Sequence, residues 1–161
     1  MISLKPVINL LTNKPALFEG LWFRKVAGAA EYAKIRPDGL PLPAAWVVRS
    51  ADKGESIGER QDEITPSFDV VIAIENVRTH EPGDTDELLL KYRWAVYRAL
   101  RGNQVVPDTE PIKFHGGRVI EYTDGDLYWA DRYSFGGVID NYLPAPTAQF
   151  LEVNNLGGKL L

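Results

Sequence analysis

Apolar residues recur along this chain with two periods, one near the 3.6 residues of a helical turn and one near the two-residue repeat of a strand. Val7, Ile8, Leu10 and Leu11 follow Pro6 at helical spacing and predict a short amphipathic helix from about Lys5 to Leu11, stopped by Asn13 and Pro15. Leu21 to Val26 is bulky and β-prone, and the alanine-rich Ala29 to Ile35 beyond Gly28 favours helix, so a strand and then a short helix are expected. Prolines at 37, 41 and 43 with Gly39 demand an irregular connection. Ala45 to Arg49 is a short apolar run between breakers, the pattern of a strand inside a sheet.

Ala51 to Gln61 turns polar, with Ile57 as its one anchor, and reads as a mobile excursion between paired strands and a candidate contact loop. Ile64 to Val77 alternates Phe68, Val70, Ile72 and Ile74 against the equally apolar Val71 and Ala73, as expected of a central strand covered on both faces. After the turn at Glu81-Pro82-Gly83, Asp84 or Thr85 is the expected N-cap of a helix ending at Gly102, with acids in its first turn and Lys or Arg towards its end. Leu88, Leu89, Tyr92, Ala95, Val96, Ala99 and Leu100 form its apolar stripe, and Trp94 and Tyr97 fall off it. Gly117 to Thr123 and Leu127 to Phe135 predict a hairpin turning at Asp124-Gly125, with Val138 to Leu143 extending the second strand.

The order α-β-α-β-β-α-β-β, with one long helix, predicts an α+β fold: a mostly antiparallel β-sheet flanked by helices rather than a doubly wound parallel sheet. The expected organisation is one domain over residues 1–143 and an extended C-terminal tail over 144–161, whose Phe150, Leu151, Val153, Leu160 and Leu161 need something to dock on.

Composition narrows the function. With 161 residues, 45% hydrophobic and 25% charged, the chain is sized for one cored domain. Cysteine is absent, which removes disulfides and thiolate chemistry and suits a reducing cytosol. The N-terminus lacks the features of a signal peptide, and no window approaches the ~20 apolar residues of a membrane span, so a soluble protein is expected. A net charge of −4 argues against affinity for nucleic-acid phosphates, and the cluster Lys91, Arg93, Arg98 and Arg101 is where a helix dipole favours positive charge.

Candidate chemistry is sparse. His80 and His115 read as solvated loop histidines, with no zinc spacing around either. Asp124-Gly125-Asp126 resembles a calcium-loop fragment but lacks the later ligands, and a hairpin turn explains it. The pairs Gly116-Gly117, Gly136-Gly137 and Gly157-Gly158 form no phosphate-binding motif and are expected to mark bends and bulges. Ser50, Ser56, Ser67 and Ser134 have no local nucleophile context. No catalytic, cofactor-binding or metal residue is assigned; a carboxylate pair meeting only in space remains as the route to a small hydrolase. Core packing is the expected role of each of Trp22, Trp46, Trp94 and Trp129, but so many large aromatics in a small domain leave some for an interface.

One ordered set of segments carries a resemblance. Phe68 to Asn76, the helix end Val96-Tyr97-Arg98-Ala99-Leu100-Arg101-Gly102, Ile112 to Phe114, Gly116-Gly117-Arg118-Val119-Ile120 and Tyr128-Trp129-Ala130-Asp131-Arg132-Tyr133 together resemble the tail terminator (tail-completion) proteins of long-tailed bacteriophages. Asp69 to Tyr142 carries most of it, and the N-terminal order through Trp46-Val47-Val48 also agrees. The 51–61 excursion and the long tail depart from the pattern.

The resemblance implies a structural virion protein, not an enzyme. It implies a homo-hexameric ring on the head-proximal end of the tail tube, partners in the tube protein, the tail sheath and the neck or head-completion protein, and assembly in the bacterial host cytoplasm without a membrane. Six copies at −4 each carry −24, and the part of that charge lining the lumen would repel DNA and let it pass without sticking. A head-tail adaptor or tube protein is the neighbouring alternative, and a module that binds a peptide strand along a sheet edge is a third.

Overall fold

The computed structural model describes residues 1–13, 22–33, 41–76, 81–123 and 125–141. The elements are α1 (Lys5–Thr12), β1 (Lys25–Gly28), α2 (Ala29–Tyr32), β2 (Ala44–Ser56), β3 (Gln61–Glu75), α3 (Asp84–Leu100), β4 (Lys113–Tyr122), β5 (Asp126–Ser134) and β6 (Gly137–Asp140). They build an α+β fold on one six-stranded sheet in the order β1-β2-β3-β5-β4, with β6 also on β3. Among the described residues only β1 and β2 run parallel. The expectations for Leu21, Ile35, Pro37, Val77, His80, Asp124 and the tail from 144 to 161 lie outside the described residues.

Strand β3 is central because it is apolar on both faces. Phe68, Val70, Ile72 and Ile74 point into the larger core, where Val7 and Leu11 of α1 and Tyr92 and Val96 of α3 cover them. Val71 and Ala73 point the other way and pack with Trp46, Tyr128 and Ala130 beneath Tyr32 and Leu42. Burying one such aliphatic side chain contributes roughly 1.5–3 kcal/mol, so the double coverage of β3 is the main reason the sheet holds its order.

Residues 51–61 are not a mobile excursion. The β2–β3 ladder continues past a bulge between Arg49 and Ala51, from Ala51 opposite Ser67 to Ser56 opposite Asp62. The turn closes where the Ile57 N–H donates to the Gln61 carbonyl at 3.0 Å. A ladder is held by backbone groups and needs no apolar side chain, so a charged strand solvated on its faces looks like a loop in the sequence. The short strand expected at Ala45–Arg49 is therefore a 13-residue one.

Strand β6 continues β5 along β3 without a register slip: Ser134 faces Ser67, and Gly137 faces Ile64. The break between them lies opposite Pro66, which has no N–H to give; only the Phe135 N–H to Pro66 carbonyl contact remains, at 3.4 Å. β6 also braces the hairpin tip, because Gln61 donates to Asp140 and the Asn141 N–H donates to the Arg60 carbonyl at 2.9 Å.

Three further expectations need correction. The strand placed at Leu21–Val26 begins only at Lys25, because Trp22 and Phe23 pack inward instead of pairing: the Trp22 indole donates to the Leu11 carbonyl, and Phe23 lies 5.0 Å from the Tyr92 ring. Helix α2 ends at Tyr32. The N-cap of α3 is Gly83, whose φ of 96° suits glycine, rather than Asp84 or Thr85; the Thr85 hydroxyl donates to Asn76 instead. At the other end Gly102, with φ 82°, closes α3 as expected. The β4–β5 hairpin forms where the sequence places it, closed by Thr123 and Asp126, although β4 starts earlier, at Lys113.

Candidate functional site

Helix α3 lies on the sheet by its apolar stripe, so the residues beside that stripe face the neighbouring strands β5 and β4. Leu90, Arg93, Trp94 and Tyr97 from the helix, with Phe114 of β4 and Asp131 of β5, line a groove of about 350 Å³. An aromatic chain runs along it, Trp94 to Tyr97 at 5.5 Å, Tyr97 to Phe114 at 5.4 Å and Phe114 to Tyr133 at 5.3 Å, with the first two contacts edge-on. Trp94 is 54% exposed, the largest side chain in this surface to face water.

The floor is ionic. Asp131 is 1% exposed and accepts hydrogen bonds from Arg93 Nε at 3.1 and 3.0 Å, from Arg93 Nη2 at 2.9 Å and from the Trp129 indole at 2.9 Å. The Arg93 guanidinium also lies over the Trp129 ring, 4.5 Å from its centroid. Gly117 stands opposite Asp131 in β4, and an added Cβ there would overlap the carboxylate and the indole nitrogen and lie 2.8 Å from the Ala130 carbonyl. That close approach requires glycine. Beneath the groove, burial pushes the Tyr133 hydroxyl well above the usual tyrosine range, and Asp131 acts in the same direction. Among the described residues the Tyr133 hydroxyl has no hydrogen-bond partner.

This exposed aromatic groove lies on a chain whose segment order already resembles one family. A family model described as Phage tail terminator protein matches residues 14–142. The chain belongs to the phage tail terminator family. It is a structural component of the phage tail, and its work is assembly with other tail and neck components. No curated protein matches the chain.

On the opposite face of the sheet this family member carries a second ionic cluster. Asp69, buried, accepts from Arg132 at 2.8 and 3.1 Å and from Arg118 at 3.2 Å. Its hydrogen bonds hold Arg132 firmly in the charged form. The carboxylates of Asp69 and Asp131 are thus on opposite faces, each held by arginine, and cannot form the pair a carboxylate hydrolase needs.

His115 is a correction to the loop expectation. It sits inside β4 at the bulge that Gly116 makes with φ 93°, and its Nε2 lies 2.6 Å from Ser134 Oγ. Ser134 is 4% exposed, which closes it to a substrate carbonyl, so the pair braces the bulge. Gly116 and Gly117 do mark a bulge and a close approach, as expected of that pair. Of the basic cluster, Arg93 turns into the groove floor rather than serving only the helix end. The signal for it was Asp131, an acid at an inward position of an apolar strand, which implies a cation across from it.

Proposed function

We propose that this protein forms a ring, of about six copies, that caps the head-proximal end of the tail tube, ends its polymerisation and presents the surface for neck and head joining. The family match over residues 14–142 is the observation that carries the reading. The geometry supports it: a stiff sheet with an exposed aromatic groove on one side and a projecting hairpin elsewhere offers two unlike surfaces, as a closed ring of identical subunits requires. Its partners are then other copies of itself, the tube protein, the tail sheath where one exists, and the neck or head-completion protein, with DNA passing through the lumen unbound.

Light scattering and negative-stain microscopy of the purified protein, with and without tail tubes, test this. Rings of about six subunits, or capped tube ends of fixed length, are expected. Long filaments of the protein alone would instead make it a tube component, and a monomer that ignores tube ends would overturn the reading.

A further inference from the structure

We propose that the tip of the β2–β3 hairpin of one copy seats in the groove between α3 and β4 of the next, with Ile57 as the apolar anchor and Trp94 as its main contact. This rests on the ring reading and names the contact that would close it.

Four observations lead there. The hairpin is a braced arm, tied at its end by the Ile57–Gln61 and Arg60–Asn141 backbone bonds and by Ser56 Oγ, which donates to Asp62 at 2.7 Å. Its tip nonetheless presents Ile57 at 50% exposure, amid charged neighbours that explain nothing about why an isoleucine stands there. The charges of the arm and of the groove's border are complementary. From Asp52 to Glu63 the arm holds Asp52, Glu55, Glu59, Asp62 and Glu63 against Lys53 and Arg60, a net of −3; in the groove itself Arg93 and Asp131 offset each other, and the exposed side and end of α3 bordering it carry Lys91, Arg98 and Arg101 with no acid between Leu88 and Arg101.

The fourth observation excludes self-occupancy. The groove lies over Phe114 and Asp131, which belong to the part of the sheet that faces Phe68 to Val70, while the arm leaves β3 at Gln61. Seven to nine residues of β3, hydrogen-bonded to β2 along this length, separate them, roughly 23–30 Å of extended chain at 3.3 Å per residue. An arm so held cannot fold back on its own groove, so its seat is on another molecule. Arm and groove are different surfaces, which makes the contact head-to-tail and lets it repeat around a ring.

Two single variants and their mixture test it. Ile57→Asp and Trp94→Ala both alter exposed side chains, so circular dichroism should show each folded like the wild type. Each alone should weaken self-association by roughly thirtyfold or more, the loss typical of an interface anchor, and run as a monomer where the wild type forms rings. Mixed at equal concentration, they should form a one-to-one heterodimer, because the intact arm of the Trp94→Ala chain meets the intact groove of the Ile57→Asp chain. The absence of cysteine makes a second readout clean. Ile57→Cys combined with Leu90→Cys should give, on oxidation, a ladder of covalent oligomers that stops at the ring size.

Wild-type rings that persist in both single variants, or that form without the disulfide ladder, would overturn the arm-in-groove contact while leaving the ring standing. Failure of the wild type itself to form rings, alone or on tubes, would remove both. Loss of tube capping in the variants with their rings intact would overturn it as well and move the arm's partner to the tube.

Discussion

Arg93 crosses from helix α3 to grip Asp131 of β5 through both carboxylate oxygens, and Asp131 is almost fully withdrawn from water. A buried carboxylate without its cation retains the full cost of desolvation. Arg93→Ala should therefore destabilise the fold by about 3 kcal/mol, the low end for a broken buried pair because the Trp129 N–H still donates. Urea unfolding followed by tryptophan fluorescence measures this. A loss below about 1 kcal/mol would show that the pair is solvated in solution.

The Asp69 cluster should behave differently. Arg118 is 57% exposed, and losing it leaves Asp69 still held by Arg132. Arg118→Ala should change stability by no more than about 1 kcal/mol in the same assay. Equal losses for Arg118→Ala and Arg93→Ala would contradict the difference in burial on which the contrast rests.

Gly117 has no room for a side chain, and one of the atoms in the way belongs to the backbone of Ala130. Gly117→Ala should cost about 2 kcal/mol and lower the melting temperature by roughly 5 °C. Gly125 in the hairpin turn meets nothing within 4 Å, so Gly125→Ala serves as the matched control in a thermal melt.

Tyr133 links packing to pH. Its ionisation in the folded chain lies above the ordinary value of 10.0, and those of Tyr92 and Tyr128 are raised as well, chiefly by burial. The unfolded chain therefore loses these protons first. The stability they support is intact below about pH 10 and falls as pH rises beyond it, by up to about 1.4 kcal/mol per pH unit for each tyrosine. Tyr133→Phe removes a buried, unpartnered hydroxyl, so it should leave stability at pH 7 unchanged or higher by about 1 kcal/mol. It should also make the alkaline decline shallower. Denaturant curves at pH 7, 10 and 11 check both, and an unchanged alkaline slope would count against the burial of that hydroxyl.

The arm formed by β2 and β3 should show ladder protection. Hydrogen exchange over residues 51–63 is expected to be slow at alternate, inward-bonded amides such as Ile57 and fast at those on the open edge of β2. Uniformly fast exchange would return the segment to a loop and remove the basis for its role in assembly.

Much of this protein was legible in its residues because local periodicity and local caps act within a few positions of the chain. The double-faced apolar run of β3, the stripe of α3, its glycine stop at 102 and the Asp124-Gly125 hairpin signal are all of that kind, and together they fix an α+β fold. The segment order also sufficed to suggest the family. What tertiary structure decided depends on partners far away in sequence. Whether the polar stretch 51–61 is a loop or a strand is settled by backbone pairing, which side-chain composition does not report. The break between β5 and β6 lies opposite Pro66, some seventy positions upstream, and the need for glycine at 117 depends on an indole and a carboxylate from the next strand. The groove itself, with Arg93 turned onto Asp131 and Trp94 left facing water, exists only because packing one face of α3 against the sheet leaves the flank beside it uncovered.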